Sequence, residues 1–475
     1  MSLRYVLAFV ACAGAFALST QASSKETRLG AFETQVEDLR ARLRIPGLSA
    51  AIVEDQKVLW AKGFGYADYE NRIPATPDTI YHVASETKPF AATLVMQLVE
   101  EGKLDLDEPI SHYSSDFKDD SVRIKHILSH TSGGPTPGDR YEYDGARYEY
   151  LTPVIEKGFG KPFRQVMVET FLDPLGMSSS VPGPDVVKEA DKWVAVIGKD
   201  HLDRYAKLLE KQSQPYTLYG DSEIVHVPYP PGVFSASAGL LSTVLDMAKF
   251  DAAIDRHVFL KKETQEKAWT NFVSNDGQRL PYGFGWFVAD YLGTRLIWHY
   301  GNWGTGFSAI YVKAPERNLS LIMLSNSEAL SSHMYSVGED IANNAFACAF
   351  LRDFVSEGAQ GADCERNSQT ALTRFLEDRR KNARVAVQLD PKILDAYVGQ
   401  YQIEESPRIL TVARDGNRLV VDIPKGDETE LFAASESTFF IKIRPLEMTF
   451  VKDQERVTHI DVVDYAEKWR ANKIK

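Results

Sequence analysis

The chain has 475 residues, of which 44% are hydrophobic and 25% are charged, as in ordinary globular proteins. This length predicts two or three folded domains. The formal net charge of -12 argues against a nucleic-acid partner and against docking on anionic lipid, so we expect a small-molecule or short-peptide substrate. The oligomeric state is not predictable from these properties.

The first 22 residues are typical of an export signal. Arg4 supplies positive charge, residues 6–17 form a short apolar run, and small residues follow up to Ala22. Because the run is too short to cross a bilayer, we expect no membrane span in the mature protein. Lipidation of Cys12 is the alternative. We therefore predict a signal peptide over residues 1–22 and a periplasmic or secreted protein.

Two cysteines, Cys348 and Cys364, remain after removal of the signal. Export is consistent with a disulfide between them, and two unpaired thiols are the alternative. No Cys/His cluster has the spacing of a zinc site, and neither a Walker loop nor a dinucleotide glycine fingerprint is present. We expect no metal and no other cofactor.

In chain order, residues 49–66 predict two strands joined by a tight turn at Asp55 and Gln56. Residues 121–250 are mainly helix and loop in pattern, and residues 280–326 again consist of β-rich runs separated by turn residues. Strands first, helices in the middle and strands last predict an α+β core in which the two ends share one sheet.

The C-terminal part changes character twice. A helix of about twenty residues is predicted over Leu330–Phe350. Residues 352–385 are polar and are predicted as a linker. Residues 386–475 are β-rich, with a strong hairpin signal at Asp415-Gly416, and are predicted to form a separate antiparallel, barrel-like domain.

The sequence Ser85-Glu86-Thr87-Lys88 lies where a helix is predicted to begin, because Pro89 is tolerated only in a first turn. A lysine three residues after a serine lies on the same helix face, where its amine can take the hydroxyl proton. The helix start also stabilises developing negative charge. Taken alone, this spacing would favour an ordinary helix start with a solvated lysine, because S-x-x-K arises by chance in many proteins of this length.

Four later segments give this motif its significance. They are residues 127–134 (ILSHTSGG), 171–177 (FLDPLGM), 237–243 (SAGLLST) and 299–301 (HYG). With these segments in this order, the chain resembles the serine β-lactamase and penicillin-binding-protein superfamily. It is most similar to the class C-like branch, which includes D-aminopeptidases, D-Ala-D-Ala carboxypeptidases and esterases. The resemblance implies a β-lactamase/transpeptidase-like fold, an antiparallel sheet flanked by helices plus a helical region, over residues 23–351.

The resemblance also implies the roles of individual residues. Ser85 would be the nucleophile, and Lys88 or Tyr143 would take its proton. Tyr143 would protonate the leaving group and activate water, while His299 would support it from the position of the family's K-T-G lysine. The backbone N–H groups of Ser85 and Asn302 would hold the oxyanion.

The Y-x-N element of the family is altered here. The aligned register selects Tyr143 over Tyr141, and Gly145 then replaces the asparagine. In the family that amide contacts the lysine and the substrate, so its absence argues against β-lactam and D-Ala-D-Ala activity. Gly301 and Trp303 are expected to line the substrate cleft.

We therefore expect an exported serine hydrolase that acts through a covalent acyl-enzyme on D-amino-acid peptides or carboxylic esters. The alternatives are a β-lactamase or D-Ala-D-Ala carboxypeptidase, a catalytically silent protein that binds cell-wall fragments, and acyl transfer to an amine. Intact Ser85, Lys88 and Tyr143 count against a silent protein. His299 carries little charge at neutral pH, which predicts a weak demand for an anionic substrate terminus.

Overall fold

A computed structural model describes residues 25–230, 232, 234–337, 339–356, 362–422, 428–464 and 467–475. The predicted signal peptide lies outside the described residues, so export stays a prediction. Within these ranges, no helix combines the length and the apolar character that a membrane crossing requires.

The strands of the first domain are, in chain order, β1 (Gly47–Glu54), β2 (Lys57–Asp68), β3 (Ile73–Pro74), β4 (Tyr81–His82), β5 (Val181–Pro182), β6 (Tyr216–Tyr219), β7 (Glu223–His226), β8 (Leu240–Ser242), β9 (Phe287–Tyr291), β10 (Thr294–Asn302), β11 (Ser308–Ala314) and β12 (Leu319–Ser325). Seven of them form an antiparallel sheet in the order β3-β2-β1-β12-β11-β10-β9. Ala51 of β1 lies opposite Ile322 of β12, which confirms that the two ends of the α+β core share one sheet. Asp55 and Gln56 join β1 to β2 with φ angles of 48° and 64°, as a type I′ turn requires.

At its central strands β1, β12 and β11, both faces of this sheet are buried. In β1, Ala51 and Val53 belong to the core on one face, whereas Leu48, Ala50 and Ile52 belong to the core on the other. Double burial explains why β1 is a nearly continuous run of small and apolar residues with no alternation of apolar and polar ones.

The helices of the first domain are α1 (residues 25–42), α2 (Thr87–Glu100), α3 (Ile124–Leu128), α4 (Gly145–Tyr148), α5 (Leu151–Phe159), α6 (Phe163–Met167), α7 (Ala190–Ile197), α8 (Lys199–Leu209), α9 (Val244–Asp255), α10 (Lys262–Ala268), α11 (Ala329–Ser332) and α12 (Ala345–Phe350). α2 is the helix predicted to begin near Ser85. A 3-10 turn leads into it, and Pro89 lies in its first turn, where a missing N–H costs no helical hydrogen bond. Most residues of α2 are buried, so the helix is a central element of the domain.

The prediction of one twenty-residue helix over Leu330–Phe350 is wrong. α11 and α12 are separate, with short 3-10 turns between them. The Asn344 side chain accepts hydrogen bonds from two backbone N–H groups of α12, and the Asp340 side chain caps the preceding turn. Such side chains start a new helix and compete with the continuation of an earlier one.

The segment predicted as a linker, residues 352–385, contains a helix of 21 residues, α13 (Ala362–Asn382). A disulfide joins Cys348 of α12 to Cys364 of α13. Of the two alternatives for these cysteines, a disulfide or two unpaired thiols, the structure has the disulfide. Leu372 is fully buried in the same core as Cys348. α13 is therefore packed against the first domain.

A short helix, α14 (Pro391–Leu394), precedes the C-terminal strands, which are β13 (Gly399–Ile403), β14 (Ile409–Asp415), β15 (Arg418–Asp422), β16 (Glu428–Ala433), β17 (Thr438–Phe440), β18 (Leu446–Asp453), β19 (Arg456–Asp464) and β20 (Glu467–Lys473). They close into a barrel in which β13 pairs with β20, which confirms the predicted all-β, barrel-like domain. Leu410, Val421 and Ile460 belong to its apolar core, as expected for a barrel just wide enough to be filled by side chains. The predicted hairpin at Asp415-Gly416 joins β14 to β15.

Candidate active site

Ser85 lies in the 3-10 turn that precedes α2. Hydrogen bonds hold this turn on both sides: Thr87 Oγ1 donates to the Ala84 carbonyl at 2.8 Å, and the Ala84 N–H donates to His82 Nδ1 at 3.1 Å. Ala84 has a φ of 49°, a strained value for a residue with a side chain. Within residues 81–90, Ser85 alone is not buried, so the turn presents this one residue towards solvent.

Lys88 is fully buried one helical turn after Ser85. Its Nζ lies 2.9 Å from Ser85 Oγ, 2.9 Å from the Ser237 carbonyl oxygen and 3.1 Å from Ser237 Oγ. The rings of Tyr143 and Tyr148 flank the amine, with centroids 5.2 Å and 5.3 Å from Nζ. The structure thus brings the lysine amine within hydrogen-bond distance of the serine hydroxyl.

Burial lowers the pKa of Lys88 to about 7, and the negative charges of Glu149 and Asp144 counteract part of this effect. At such a pKa a large fraction of the amine is neutral at neutral pH, whereas a solvated lysine is almost entirely protonated. The amine of Lys88 can therefore accept the Ser85 proton, as a general base must.

Tyr143 borders the same pair of residues. Its ring stacks on the imidazole of His130, with ring centroids 4.2 Å apart. Burial raises the pKa of the Tyr143 hydroxyl well above its ordinary value, and the nearby Ser85 hydroxyl lowers this pKa in part. The phenol is therefore protonated at neutral pH and is better suited to donate a proton than to accept one.

His299 lies on β10 and is fully buried. Its Nδ1 is 2.7 Å from the Tyr300 carbonyl oxygen, and its Nε2 is 2.8 Å from the Tyr282 hydroxyl. Because a carbonyl oxygen only accepts, Nδ1 carries the proton and Nε2 accepts from Tyr282. Burial and the charge of Lys88 lower the pKa of His299 to about 3, so the ring is neutral. Its centroid lies 6.4 Å from that of Tyr143, so any support of Tyr143 comes from packing.

Gly301 and Asn302 bring the end of β10 next to the turn that carries the predicted nucleophile. A Cβ on Gly301 would lie 2.1 Å from the Val83 carbonyl oxygen, so only glycine permits this approach. The Asn302 side chain donates to the hydroxyls of Ser331 and Ser332 at 3.0 Å and 2.8 Å. With the side chain held in this way, a contribution of Asn302 to an oxyanion site would come from its backbone N–H.

Trp303 is half-buried and contacts the ring of His82 edge-on, with centroids 4.9 Å apart. His82 belongs to the segment that leads into Ser85, so Trp303 lies near the predicted cleft. The other tryptophans near this motif, Trp286 and Trp298, are buried in the two cores of the domain.

Ser237, which contacts Lys88 through two oxygen atoms, is not among the residues predicted for the site. It lies 149 residues after Lys88 in the chain, and segment 237–243 contributed to the family resemblance without a role for Ser237 itself. Gly145, where the family has asparagine, is the first residue of α4. A Cβ at this position would lie 3.7 Å from Ser237 Oγ and 3.8 Å from Lys88 Nζ, so a side chain there would point at the lysine.

Comparisons with known proteins agree with this architecture. The beta-lactamase family matches residues 32–337, and a domain of unknown function, DUF3471, matches residues 383–472. Penicillin-binding protein 4* of Bacillus subtilis (strain 168) is 23% identical over 469 residues, covering 91% of this chain and 95% of that protein.

Two solved structures share the fold. The octameric penicillin-binding protein homologue from Pyrococcus abyssi superposes with a TM-score of 0.56 and 24% identity, covering 94% of this chain and 100% of that one. The D-amino acid amidase from Ochrobactrum anthropi SV3, complexed with L-phenylalanine amide, gives a TM-score of 0.52 and 20% identity, covering 72% of this chain and 99% of that one. Because the family match extends over more than half of the chain, this protein belongs to the beta-lactamase family and is a serine hydrolase of the β-lactamase and penicillin-binding-protein superfamily.

Proposed function

We propose that this protein is an exported hydrolase that forms a covalent acyl-enzyme at Ser85 and acts on D-amino-acid peptides or carboxylic esters. The observation that carries the proposal is the 2.9 Å contact between Lys88 Nζ and Ser85 Oγ, in a site whose burial lowers the lysine pKa to about 7. The disulfide between Cys348 and Cys364 supports export, since such bonds persist in oxidising compartments.

In the proposed acylation, Ser85 Oγ attacks the substrate carbonyl carbon while Lys88 Nζ takes the hydroxyl proton. The carbonyl oxygen becomes an oxyanion, for which the backbone N–H groups of Ser85 and Asn302 are the proposed donors. As the bond to the leaving amine or alkoxide breaks, the Tyr143 phenol gives it a proton. Lys88 then passes its own proton to Tyr143, which restores both groups.

Deacylation would use the same residues. A water molecule attacks the ester carbonyl of the acyl-enzyme and loses a proton through Tyr143 to Lys88. Lys88 returns this proton to Ser85 Oγ as the bond between Oγ and the acyl carbon breaks, which restores the Ser85 hydroxyl and the neutral amine. An amine in place of water would give acyl transfer, which the same residues would support.

Two features of the site support amide and ester substrates over β-lactams and D-Ala-D-Ala peptides. His299 is neutral and both of its ring nitrogens are engaged, so it offers no charge to a substrate carboxylate. Gly145 offers no side-chain amide to the substrate. The fold shared with a D-amino acid amidase supports D-amino-acid substrates. A silent binding protein is disfavoured because the Ser85–Lys88 contact is intact.

A panel of chromogenic substrates tests this assignment. We expect kcat/KM for short-chain p-nitrophenyl esters or D-amino-acid p-nitroanilides to exceed that for nitrocefin, with L-amino-acid anilides as the matched stereochemical control. Nitrocefin hydrolysis as fast as that of the best ester or D-anilide would contradict the interpretation of Gly145 and His299.

The pH dependence of turnover tests the role of Lys88. Because only the neutral amine accepts a proton, we expect kcat/KM to rise with pH along an acid limb with an apparent pKa near the value of about 7 that burial produces. Well below that pH, the rate should fall about tenfold per pH unit. Initial rates with one p-nitroanilide across this range give the profile, since its product is detected independently of pH. A rate that is constant through the acid range would exclude Lys88 as the base.

A further inference from the structure

We infer that Ser237 is a positioning residue of this active site, whose carbonyl and hydroxyl oxygens hold the Lys88 amine so that its lone pair is directed at Ser85. The inference rests on the proposed function, in which Lys88 is the base. Ser237 would also supply the polar group beside Lys88 that an asparagine at position 145 provides in the family, which explains why glycine is tolerated there.

The direction of each hydrogen bond follows from the atoms involved. The Gly145 carbonyl oxygen, 2.6 Å from Ser237 Oγ, only accepts, so the Ser237 hydroxyl proton is directed there. Ser237 Oγ must then accept from Lys88 Nζ at 3.1 Å, and the Ser237 carbonyl oxygen accepts from the same amine at 2.9 Å. Ser237 therefore takes two N–H bonds from Lys88.

A neutral amine has two N–H groups and one lone pair. When both N–H groups are bound to Ser237, the lone pair is the part of the amine left for the third neighbour, Ser85 Oγ at 2.9 Å. In this arrangement the Ser85 hydroxyl donates to Lys88, which is the geometry that proton abstraction requires. Without the Ser237 hydroxyl, one N–H of the neutral amine would be free to turn towards Ser85 instead.

Ser237 is itself held firmly. It is buried, and its backbone N–H donates to Ser235 Oγ at 3.2 Å. Three residues later, the Leu240 N–H donates to Thr87 Oγ1 at 3.2 Å, so the segment is bonded to the first residue of α2. A group fixed to the same helix start as Ser85 and Lys88 is suited to set the orientation of the amine.

Gly145 completes the arrangement. A Cβ at this position would be in ordinary van der Waals contact with Ser237 Oγ and Lys88 Nζ, and the backbone there is not in the left-handed region. The backbone conformation at position 145 would therefore also accommodate a residue with a side chain. Position 145 contributes its carbonyl oxygen, and the polar side chain beside Lys88 comes from Ser237 instead.

The test is Ser237→Ala in the full chain, read by the rate of fluorophosphonate labelling and by kcat and KM with the best p-nitroanilide. We expect labelling and kcat to fall by about tenfold to a hundredfold with KM changed by less than about threefold, because the base is misoriented while the substrate site is intact. Loss of an acceptor for the ammonium should also shift the acid limb to lower pH by about half a unit or more. A purely structural role would not move this limb.

Two further variants support the test. Gly145→Ser in the Ser237→Ala background places a hydroxyl beside Lys88 again. We expect the double variant to be labelled at least about fivefold faster than Ser237→Ala alone. Ser368→Ala removes another buried hydroxyl, one that donates to the Glu365 carbonyl on α13, and should leave rate and pH profile unchanged. Thermal unfolding of each variant separates misfolding from misorientation.

The failures of the two proposals differ. The proposed function fails if the wild type is not labelled by the probe. The inference about Ser237 fails if wild type and Ser237→Ala are labelled at the same rate with the same pH dependence.

Discussion

Ser85→Ala is expected to abolish labelling by a fluorophosphonate probe and to lower kcat by about 10⁶-fold, as the loss of a catalytic nucleophile does in serine hydrolases. Ser85 is the residue that the turn before α2 leaves accessible, and its hydroxyl is in contact with a base. Without Oγ no acyl-enzyme can form. Intact-mass spectrometry of the labelled protein and peptide mapping measure the effect directly.

Ser368→Ala is the matched control for the nucleophile, since it removes a serine hydroxyl that contacts a backbone carbonyl and no base. This variant should be labelled like the wild type. Equal labelling of Ser85→Ala and the wild type would show that the nucleophile lies elsewhere.

Lys88→Met is expected to lower kcat by about 10²- to 10⁴-fold without loss of stability. Methionine has a similar length, but it carries no lone pair that could accept the Ser85 proton. In the wild type, depressing the lysine pKa from 10.5 to about 7 costs the folded state several kcal/mol. This penalty is complete below pH 7 and fades as the pH rises towards 10.5, where both states are neutral. Removing the amine should therefore leave the free energy of unfolding at pH 7 unchanged or raise it.

Lys313 provides the contrasting control, because it is equally buried but lies 2.9 Å from Asp251 and 2.8 Å from Asp255. These carboxylates raise its pKa, whereas burial without such close partners lowers that of Lys88. Lys313→Met leaves the two carboxylates without this buried cation and is expected to lower the free energy of unfolding by about 3–5 kcal/mol. Urea denaturation at pH 7, together with turnover, distinguishes the two variants. If Lys88→Met loses as much stability as Lys313→Met, the conclusion that the buried Lys88 amine destabilises the folded state is wrong.

Local rules account for much of the fold. The turn at Asp55-Gln56, the hairpin at Asp415-Gly416 and the start of α2 close to Pro89 were all predictable, because turn residues and proline constrain the backbone over only a few positions. The sharing of one sheet by β1 and β12 followed from the order of strand-rich and helix-rich regions.

The helix α13 shows where composition misleads. Its buried residues include Cys364, Ser368, Leu372 and Phe375, which recur at helical spacing on one face. The rest of the helix is polar because it is not covered by the domain. Over residues 352–385 the polar residues outnumber this apolar stripe, so the segment resembles a linker until the surface that covers the stripe is known.

The pairing of Ser85 with Lys88 was accessible from spacing alone, because both the 3-10 turn and the α-helix that follows it place residues three positions apart on one face. The protonation of that lysine was decided only by the folded chain. Its pKa depends on burial and on Glu149 and Asp144, which come from another segment. The partner that holds its amine, Ser237, acts partly through a backbone carbonyl, which every residue possesses. A contact between a lysine and a backbone atom 149 residues away leaves no trace in side-chain identity, so tertiary structure was needed to reveal it.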